Sequence, residues 1–501
     1  MTTYDGQHLR LWKGGRTLGH DLRPAHLESR PVTSLASPLT DARPAERLAE
    51  LAARLRPLLG EEAVIEDPAP RYAGDTAVQA PDGTTFLLVL PADTAGVQEV
   101  LRLAHETGTP VVPRGSGSGL SGGAAPSTGA IVLGLERLTW IREIDLLDEV
   151  AVVEAGVITA DLSAALAPHG VFYAPDPASA RLSTIGGNIA TNAGGLHCAK
   201  YGVTRESVLG LEAVLADGTL LRTGHRSIKG VTGLDLTQLL IGSEGTLAVI
   251  TAATVRIRPL PVARRTVLAR FDSAGAAAEG VNAISRSPVR PAATELMDGP
   301  TLADIDAHTG SELARGESTI LLIELDGYGI DEQLADLAAA LTAAGGTVRE
   351  IEDEAEAEHL WELRRSGRGS GAGGHRLGED VAVPKSRLGE MFEALPGIGR
   401  RHGVETSAIA HAGDGNLHPS LALPRSEDHA PGQLPAPLLA AADELVRTAL
   451  ALGGTVSGEH GIGTAKRGWL DLELSPASRD LQHRLKTAFD PHQLLNPGKA
   501  L

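Results

Sequence analysis

Apolar residues recur first at helical spacing. Leu48, Leu51, Leu55 and Leu58 fall on one face of a helix predicted over residues 45–59. A short continuous apolar run, Thr-Phe-Leu-Leu-Val-Leu at 85–90, then reads as a buried strand. An amphipathic helix over 94–107 follows, and Pro-Val-Val-Pro at 110–113 is a second strand that runs into glycine. This is a β-α-β opening. Further strands are predicted at 130–135, 149–153, 208–215 and 247–257, parted by Gly- and Pro-rich turns. Pro259-Leu-Pro261 ends the last of them and marks a boundary. Beyond it, strands at 266–271 and 318–325 mix with helices at 274–284, 331–343 and 435–452, a second α+β unit. A last helix starts at Pro476, before Phe489-Asp-Pro491 and Asn496-Pro-Gly-Lys499. No internal repeat is visible.

At 501 residues the chain is too long for one core, so two or three domains are expected. A 42% hydrophobic and 22% charged composition is that of a globular protein, and with aromatics at 3% the cores must be built from Ala, Val, Leu and Ile. The formal net charge of -18 argues against nucleic acid or an anionic membrane as main partner. Cys198 is the one cysteine, which excludes an intramolecular disulfide and any Cys-ligated iron–sulfur cluster or c-type haem. The best apolar run, 434–456, is interrupted by Asp443, Glu444 and Arg447, so no membrane span is expected. Residues 1–44 lack the apolar core of a signal peptide and read as a disordered tail. A cytoplasmic protein is the expectation, with peripheral attachment at an inner membrane face as the alternative.

Three glycine-rich segments carry candidate chemistry. The first, Arg114-Gly-Ser-Gly-Ser-Gly-Leu-Ser-Gly-Gly123, follows a strand and offers a row of backbone N–H groups to a diphosphate. Gly117, Gly119 and Gly122 match G-x-G-x-x-G, with Glu136 at a tempting distance for a ribose. That fingerprint needs a helix opening at the loop, and Pro126 and Gly129 follow instead, so a nicotinamide site is rejected. The second segment, 183–195, is small enough throughout to let backbone approach a flat ligand, and the third, 241–247, is placed along the same groove.

Near the C-terminal end, His411-Ala-Gly-Asp-Gly-Asn-Leu-His418 and Ser457-Gly-Glu-His-Gly461 bring imidazoles and carboxylates onto glycine turns. Such donors suit zinc or a similar divalent ion, and three protein ligands leave a position open for substrate. With 17 histidines, a pair seven apart is expected roughly 0.5 times by chance, so the first spacing alone is weak; the second acid-bearing turn strengthens it.

In this order, the three glycine segments, the Pro259 boundary, the two histidine-bearing turns and Asn496–Lys499 resemble flavoproteins of the vanillyl-alcohol oxidase superfamily. The resemblance covers residues 45–501 and is to the branch of D-2-hydroxyacid dehydrogenases, D-lactate dehydrogenases and the flavin subunit of glycolate oxidase among them. It implies an α+β fold: a two-subdomain FAD-binding domain over 45–261, a substrate and metal-binding cap over 262–470, and a segment, 471–501, returning to the flavin. It implies His411, His418 and Glu459 as ligands of a divalent metal, zinc first, with manganese or iron as alternatives. His460 is implied as the general base and Arg364 as the residue holding the substrate carboxylate. For FAD it implies Arg114, Gly115, Ser116, Gly117, Ser118 and Gly119 at the diphosphate. Gly186, Gly187, Thr191, Asn192, Gly195, Glu244, Ile250 and Asn496 are implied around the rest of the cofactor. The first glycine loop holds no histidine, so non-covalent FAD is expected. Ser420 stands where hydroxyglutarate enzymes carry Asn, and no lysine follows Arg364 where some relatives have a second carboxylate contact, which speaks against a dicarboxylate substrate.

The activity implied is oxidation of a small D-2-hydroxy acid, D-lactate or glycolate, to the 2-oxo acid. Electrons would leave for an external protein or quinone acceptor, and the chain would act as a homodimer or as a subunit of a complex. A non-catalytic flavin-carrying subunit is the alternative; a zinc hydrolase leaves the glycine loops unexplained.

Overall fold

The computed structural model describes residues 44–316, 318–366, 374–424 and 434–501; the tail expected over 1–44 lies, but for Pro44, outside them, as does much of the Gly- and Arg-rich stretch after Arg365. Helix Pro44–Leu59 buries Leu48, Leu51 and Leu55 against a four-stranded sheet. In that sheet Phe86–Val89 and Val111–Arg114 both run parallel to Ala130–Gly134, which lies between them. Parallel neighbours need a crossover, and between Val111–Arg114 and Ala130–Gly134 it is the first glycine loop, with no helix in it. The N–H groups of residues 115–119 are thus left for something other than a helix, as the residues after Gly122 imply.

A five-stranded antiparallel sheet follows, ordered Ile141–Asp145, Val150–Glu154, Val249–Arg256, Val208–Val214, Leu220–Gly224. Its core takes Leu162 and Leu166 from helix Thr159–Leu166, and Ile185 and Ile189 from helix Ile185–Thr191. Part of the second glycine segment, Ile185–Thr191, is thus a short helix. Thr184 Oγ1 accepts from Gly187 N at 3.1 Å, and Asn192 closes the helix at φ 53°. Residue 149, expected at a strand start, turns at φ 53° instead, and the strand begins at Val150.

After Pro259 the chain enters an eight-stranded sheet in which Arg264–Phe271, Thr319–Asp326, Ala293–Met297, Glu405–His411 and Asn416–Pro424 lie side by side, all antiparallel. Both faces are covered, so strand Thr319–Asp326 carries four consecutive apolar residues, Ile320 to Ile323, in place of alternation. One face packs Val267, Ala269, Phe271, Leu321 and Ile323 against helices Ala274–Arg286, Ile330–Ala343, Leu388–His402 and Ala436–Ala451. The other packs Leu268, Ile320, Leu322 and Ile409 against Gly299–Thr309 and Glu354–Ser366. Helix Leu388–His402, absent from the sequence reading, contains Pro396, a residue that argues against helix when only local pattern is weighed. Among the described residues no helix is long and apolar enough to cross a membrane.

The C-terminal segment returns to the first sheet. Leu495 bridges Val111 in parallel, and Asn496 N donates to Val111 O at 2.8 Å. Lys486, buried, donates to Asp490, Thr246 O and Leu495 O.

A second seam joins the five-stranded sheet to the eight-stranded one. Lys200 and Tyr201 both bond Asp326, and His197 sits between Asp176 (Nδ1–Oδ2 2.8 Å) and Glu324 (Nε2–Oε1 3.3 Å). Burial lowers the His197 pKa, but the two carboxylates outweigh it and raise it to about 10. A histidine raised in the fold stabilises fully below its unfolded pKa of 6.5 and loses that contribution as pH climbs toward 10. His197→Ala is therefore expected to lower Tm most at pH 6, with the gap from wild type narrowing toward pH 10. Thermal melts across that range check it, and a gap independent of pH removes the charged role.

Candidate active site at the junction of the three glycine segments

The two histidines come from one hairpin. His411 ends strand Glu405–His411, and His418 is the third residue of strand Asn416–Pro424, so both point from the same face of the sheet. The turn between them needs Gly415: φ is 89°, and a Cβ there would overlap Val383 O. Glu459 reaches them from the loop after Val456. Its Oε1 lies 3.5 Å from His411 Nε2 and 3.2 Å from His418 Nε2, and the imidazole planes of the two histidines are perpendicular. His460 stacks on His418 with centroids 5.1 Å apart.

These distances fit a metal. Ligand atoms bonded at ~2.1 Å around a tetrahedral ion stand ~3.4 Å apart, close to the two measured here. The electrostatics agree. Burial pushes the Glu459 carboxyl up, yet His411 and His418 outweigh it and hold the group well below the ordinary range. Burial drives His418 down to about 4, keeping it neutral as a ligand must be. His411 shifts the other way, because Glu295 and Glu459 together overcome its desolvation. A buried cluster with this much negative charge calls for a cation, and in the protein alone the His411 proton fills that place.

Behind His411 stands Glu295, fully buried, whose Oε1 bonds His411 Nδ1 at 2.9 Å. Burial raises its carboxyl, but Arg364 and His411 more than offset this. Glu295 fixes the ring so that Nε2 faces the cluster, the usual carboxylate–histidine arrangement behind a metal. The same carboxylate engages Arg364, the residue expected at the substrate carboxylate. Its Nε donates to Glu295 Oε2 at 2.7 Å, Nη2 pairs with the same oxygen, and Nη2 lies 3.5 Å from His411 Nδ1. The carboxylate that pairs with Arg364 is therefore Glu295 from the neighbouring strand, since a fully buried acid cannot be left without a counter-charge.

Beside His418 a cavity of about 270 Å³ opens, lined among others by Thr301, Ser407, Ile409, Ser420 and Arg376, the last bonded to Asp304 at 2.8 Å. On the other side the cluster touches the glycine segments. A Cβ on Gly194 would overlap Glu459 Oε2, so any larger residue there would have to displace the Glu459 carboxylate. Ser121 of the first loop donates to His460 O and Gly461 O at 3.0 Å each, and its own carbonyl accepts from Thr464 N and Ala465 N. Glu244 of the third segment accepts from Ile462 N and Gly463 N at 2.8 Å each, and Asn496 Nδ2 donates to Glu244 O and Gly123 O. The loop bearing Glu459 and His460, expected with the cap, is thus bonded to the glycine segments.

The expected cofactor residues divide accordingly. Gly115, Ser116, Gly117 and Ser118 are half-buried and Gly119 exposed, along a loop anchored to Thr76 N through Gly119 O. Gly187, Thr191, Asn192 and Gly195 border the same region, with Thr191 Oγ1 bonded back to Gly187 O. Three more of the expected residues lie deeper, all buried. The Arg114 guanidinium turns under the loop to Arg71 O and Gly74 O and shapes it from below. Gly186 is buried, with its N–H donated to Ala155 O, and Ile250 lies in the core of the five-stranded sheet. Glu244 and Asn496 act as staples between segments.

Asp380, not anticipated from sequence, is buried beneath both ligand-bearing segments. Burial raises its carboxyl, but His460, Lys466 and His418 prevail and keep it ionised. An acid in an otherwise apolar strand was the signal available for Glu295; Asp380, in Gly-Glu-Asp-Val, carried none.

Comparison with known proteins accounts for this arrangement. Residues 86–224 match the FAD binding domain family, and residues 260–500 the C-terminal domain of FAD linked oxidases. The chain is 40% identical to glycolate oxidase subunit GlcD of Bacillus subtilis over 82% of its length and 88% of the relative's. It is 36% identical to D-lactate dehydrogenase of Archaeoglobus fulgidus over 83% of its length and 91% of that protein's. Among solved structures, p-cresol methylhydroxylase aligns with a TM-score of 0.72 at 18% identity, covering 91% of this chain and 97% of that one. A 4-ethylphenol oxidase aligns at 0.70 and 21%, covering 92% and 98%. At such identities those two show the fold, of vanillyl-alcohol oxidase type. With its glycine loop between parallel strands and its family matches along both halves, the chain belongs to the FAD-linked oxidases, as an FAD-binding oxidoreductase in the branch of glycolate oxidase GlcD and D-lactate dehydrogenase.

Proposed function

We propose that the protein oxidises a small D-2-hydroxy acid, of the D-lactate or glycolate class, to the 2-oxo acid. The observation that carries this is the His411, His418 and Glu459 cluster, with His460 stacked on it, abutting Gly194 of the second glycine segment. The names of the relatives support the substrate class. A divalent ion, zinc first, would be held by His411, His418 and Glu459 and would lower the pKa of a hydroxyl brought beside it. FAD, held by residues 115–119 and bordered by 187–195, supplies the hydride acceptor. His460 takes the hydroxyl proton on its imidazole. Glu295 and Arg364 hold the His411 ring still, and the cavity beside His418 receives the rest of the acid, with Ser420 and Arg376 on its wall. This extends over residues 45–261 for the flavin domain, 262–470 for the cap and 471–501 for the returning segment, with the loop 457–465 shared by flavin domain and cap.

The electrons leave directly from FAD, because one cysteine allows no cluster to relay them. With a net charge of -18 the acceptor, a protein or quinone system, is favoured to dock through a basic face. The purified protein is expected to release FAD on heating and to lose its flavin colour with D-lactate or glycolate under nitrogen. Turnover should be fast with a dye acceptor and slow with oxygen alone. A flavin that stays oxidised across a panel of D-2-hydroxy acids sinks the substrate class; oxygen uptake equal to dye reduction sinks the acceptor.

A further inference from the structure

Asp380 accepts several hydrogen bonds, and they come both from the hairpin that carries His418 and from the loop that carries Glu459 and His460. Oδ1 accepts from Asn416 Nδ2 at 2.8 Å, on the strand that carries His418. Oδ2 accepts from Ser457 Oγ at 2.8 Å and from His460 N at 2.9 Å, and Glu459 N lies within bonding distance of both oxygens. Lys466 Nζ binds the Asp380 carbonyl at 2.5 Å. The hairpin and the loop are otherwise separate in the chain, and this single side chain joins them.

Asp380 also faces His418 and His460 closely enough to form, with them, an alternative three-donor group. Its own bonding disfavours ligation. A carboxylate has about four lone-pair sites; Asn416 takes one on Oδ1, Ser457 and His460 take those on Oδ2, and the Glu459 N–H lies across both oxygens. His418 Nδ1, buried and 3.9 Å from Asp380 Oδ1, lies outside hydrogen-bond range. With Nδ1 turned toward this carboxylate, Nε2 is left facing Glu459.

We propose that Asp380 is the positioning residue that assembles the metal site, holding the backbone of Glu459 and His460 so that the Glu459 carboxylate is delivered between His411 and His418. The proposal rests on the reading of those three residues as metal ligands. Asp380→Asn keeps the volume but turns one acceptor into a donor facing N–H or O–H groups, so the loop must shift. Outer partners of metal ligands typically contribute 10–100-fold in affinity.

The test uses full-length, FAD-loaded protein stripped of metal with a chelator. Zinc is titrated back in competition with a chromophoric chelator, and the metal-free forms are melted. Asp380→Asn is expected to weaken zinc ~10–100-fold with flavin content unchanged. Ser457→Ala, which removes one donor, is expected to weaken it measurably but less, by ~3–10-fold. Wild-type zinc affinity in Asp380→Asn, whatever its melting temperature, overturns the positioning role and leaves the ligand reading intact. If Asp380→Asn does not fold, wild-type affinity in Ser457→Ala overturns it equally. A wild-type protein that takes up no zinc, manganese or iron overturns the ligand reading, and this role with it.

Discussion

Glu459→Ala and His411→Ala are each expected to lose bound metal and turnover together while FAD stays in place. The ligand atoms stand at tetrahedral spacing, so removing one leaves two neutral imidazoles, or an imidazole and a carboxylate, insufficient to hold an ion in a partly open site. A metal beside a reacting hydroxyl is worth several kcal/mol of charge stabilisation, which corresponds to a rate loss of ~10³-fold or more. Flavin retention follows because the first glycine loop is anchored by Thr76, Asp75 and Arg114 rather than by the ligands. Metal analysis beside flavin absorbance reads both. EDTA treatment with confirmed metal removal must reproduce the loss; hydroxyacid oxidation at full rate after it would leave the metal without a catalytic role.

His460→Ala should separate from its neighbour. Its link to Asp380 is through the backbone N–H, which an alanine keeps, so Glu459 stays in position and the metal remains bound. What disappears is the imidazole stacked on His418. Loss of a general base costs ~10²–10⁴-fold in rate with binding largely intact. Stopped-flow reduction of the flavin at saturating substrate should slow by that range, and reduction at the wild-type rate refutes the assignment.

The sequence was most legible where chemistry is tied to short spacing. His411, His418 and Glu459 stand out as donors on glycine turns, and the structure brings their ligand atoms within 4.8 Å of one another. The absence of a helix after Gly122 followed from Pro126 and Gly129 alone. Elsewhere long-range contacts decided. Arg364 was singled out only through the family resemblance, and its partner Glu295 lies 69 residues away and is reached only through the sheet. Residues 185–191 gave no helical pattern because glycine disfavours helix, yet capping by Thr184 and Asn192 and burial of Ile185 and Ile189 outweigh that cost. The strands of the hairpin were hidden by Pro419 and by the glycines of the turn, which local propensity counts against a sheet.

The bonds from Ser121 and Glu244 to the loop carrying His460 bear on how such enzymes exchange parts. A chimera that takes its cap, residues 264–424, from a relative inherits new walls around the substrate and two new histidines. His460 and Glu459, the proposed proton acceptor and third ligand, stay with the recipient, because their loop is fastened to the flavin half. Preference among acids therefore travels with the graft, while the acid–base step remains native, and a transplant succeeds only where the donor hairpin meets the resident glutamate at the right height.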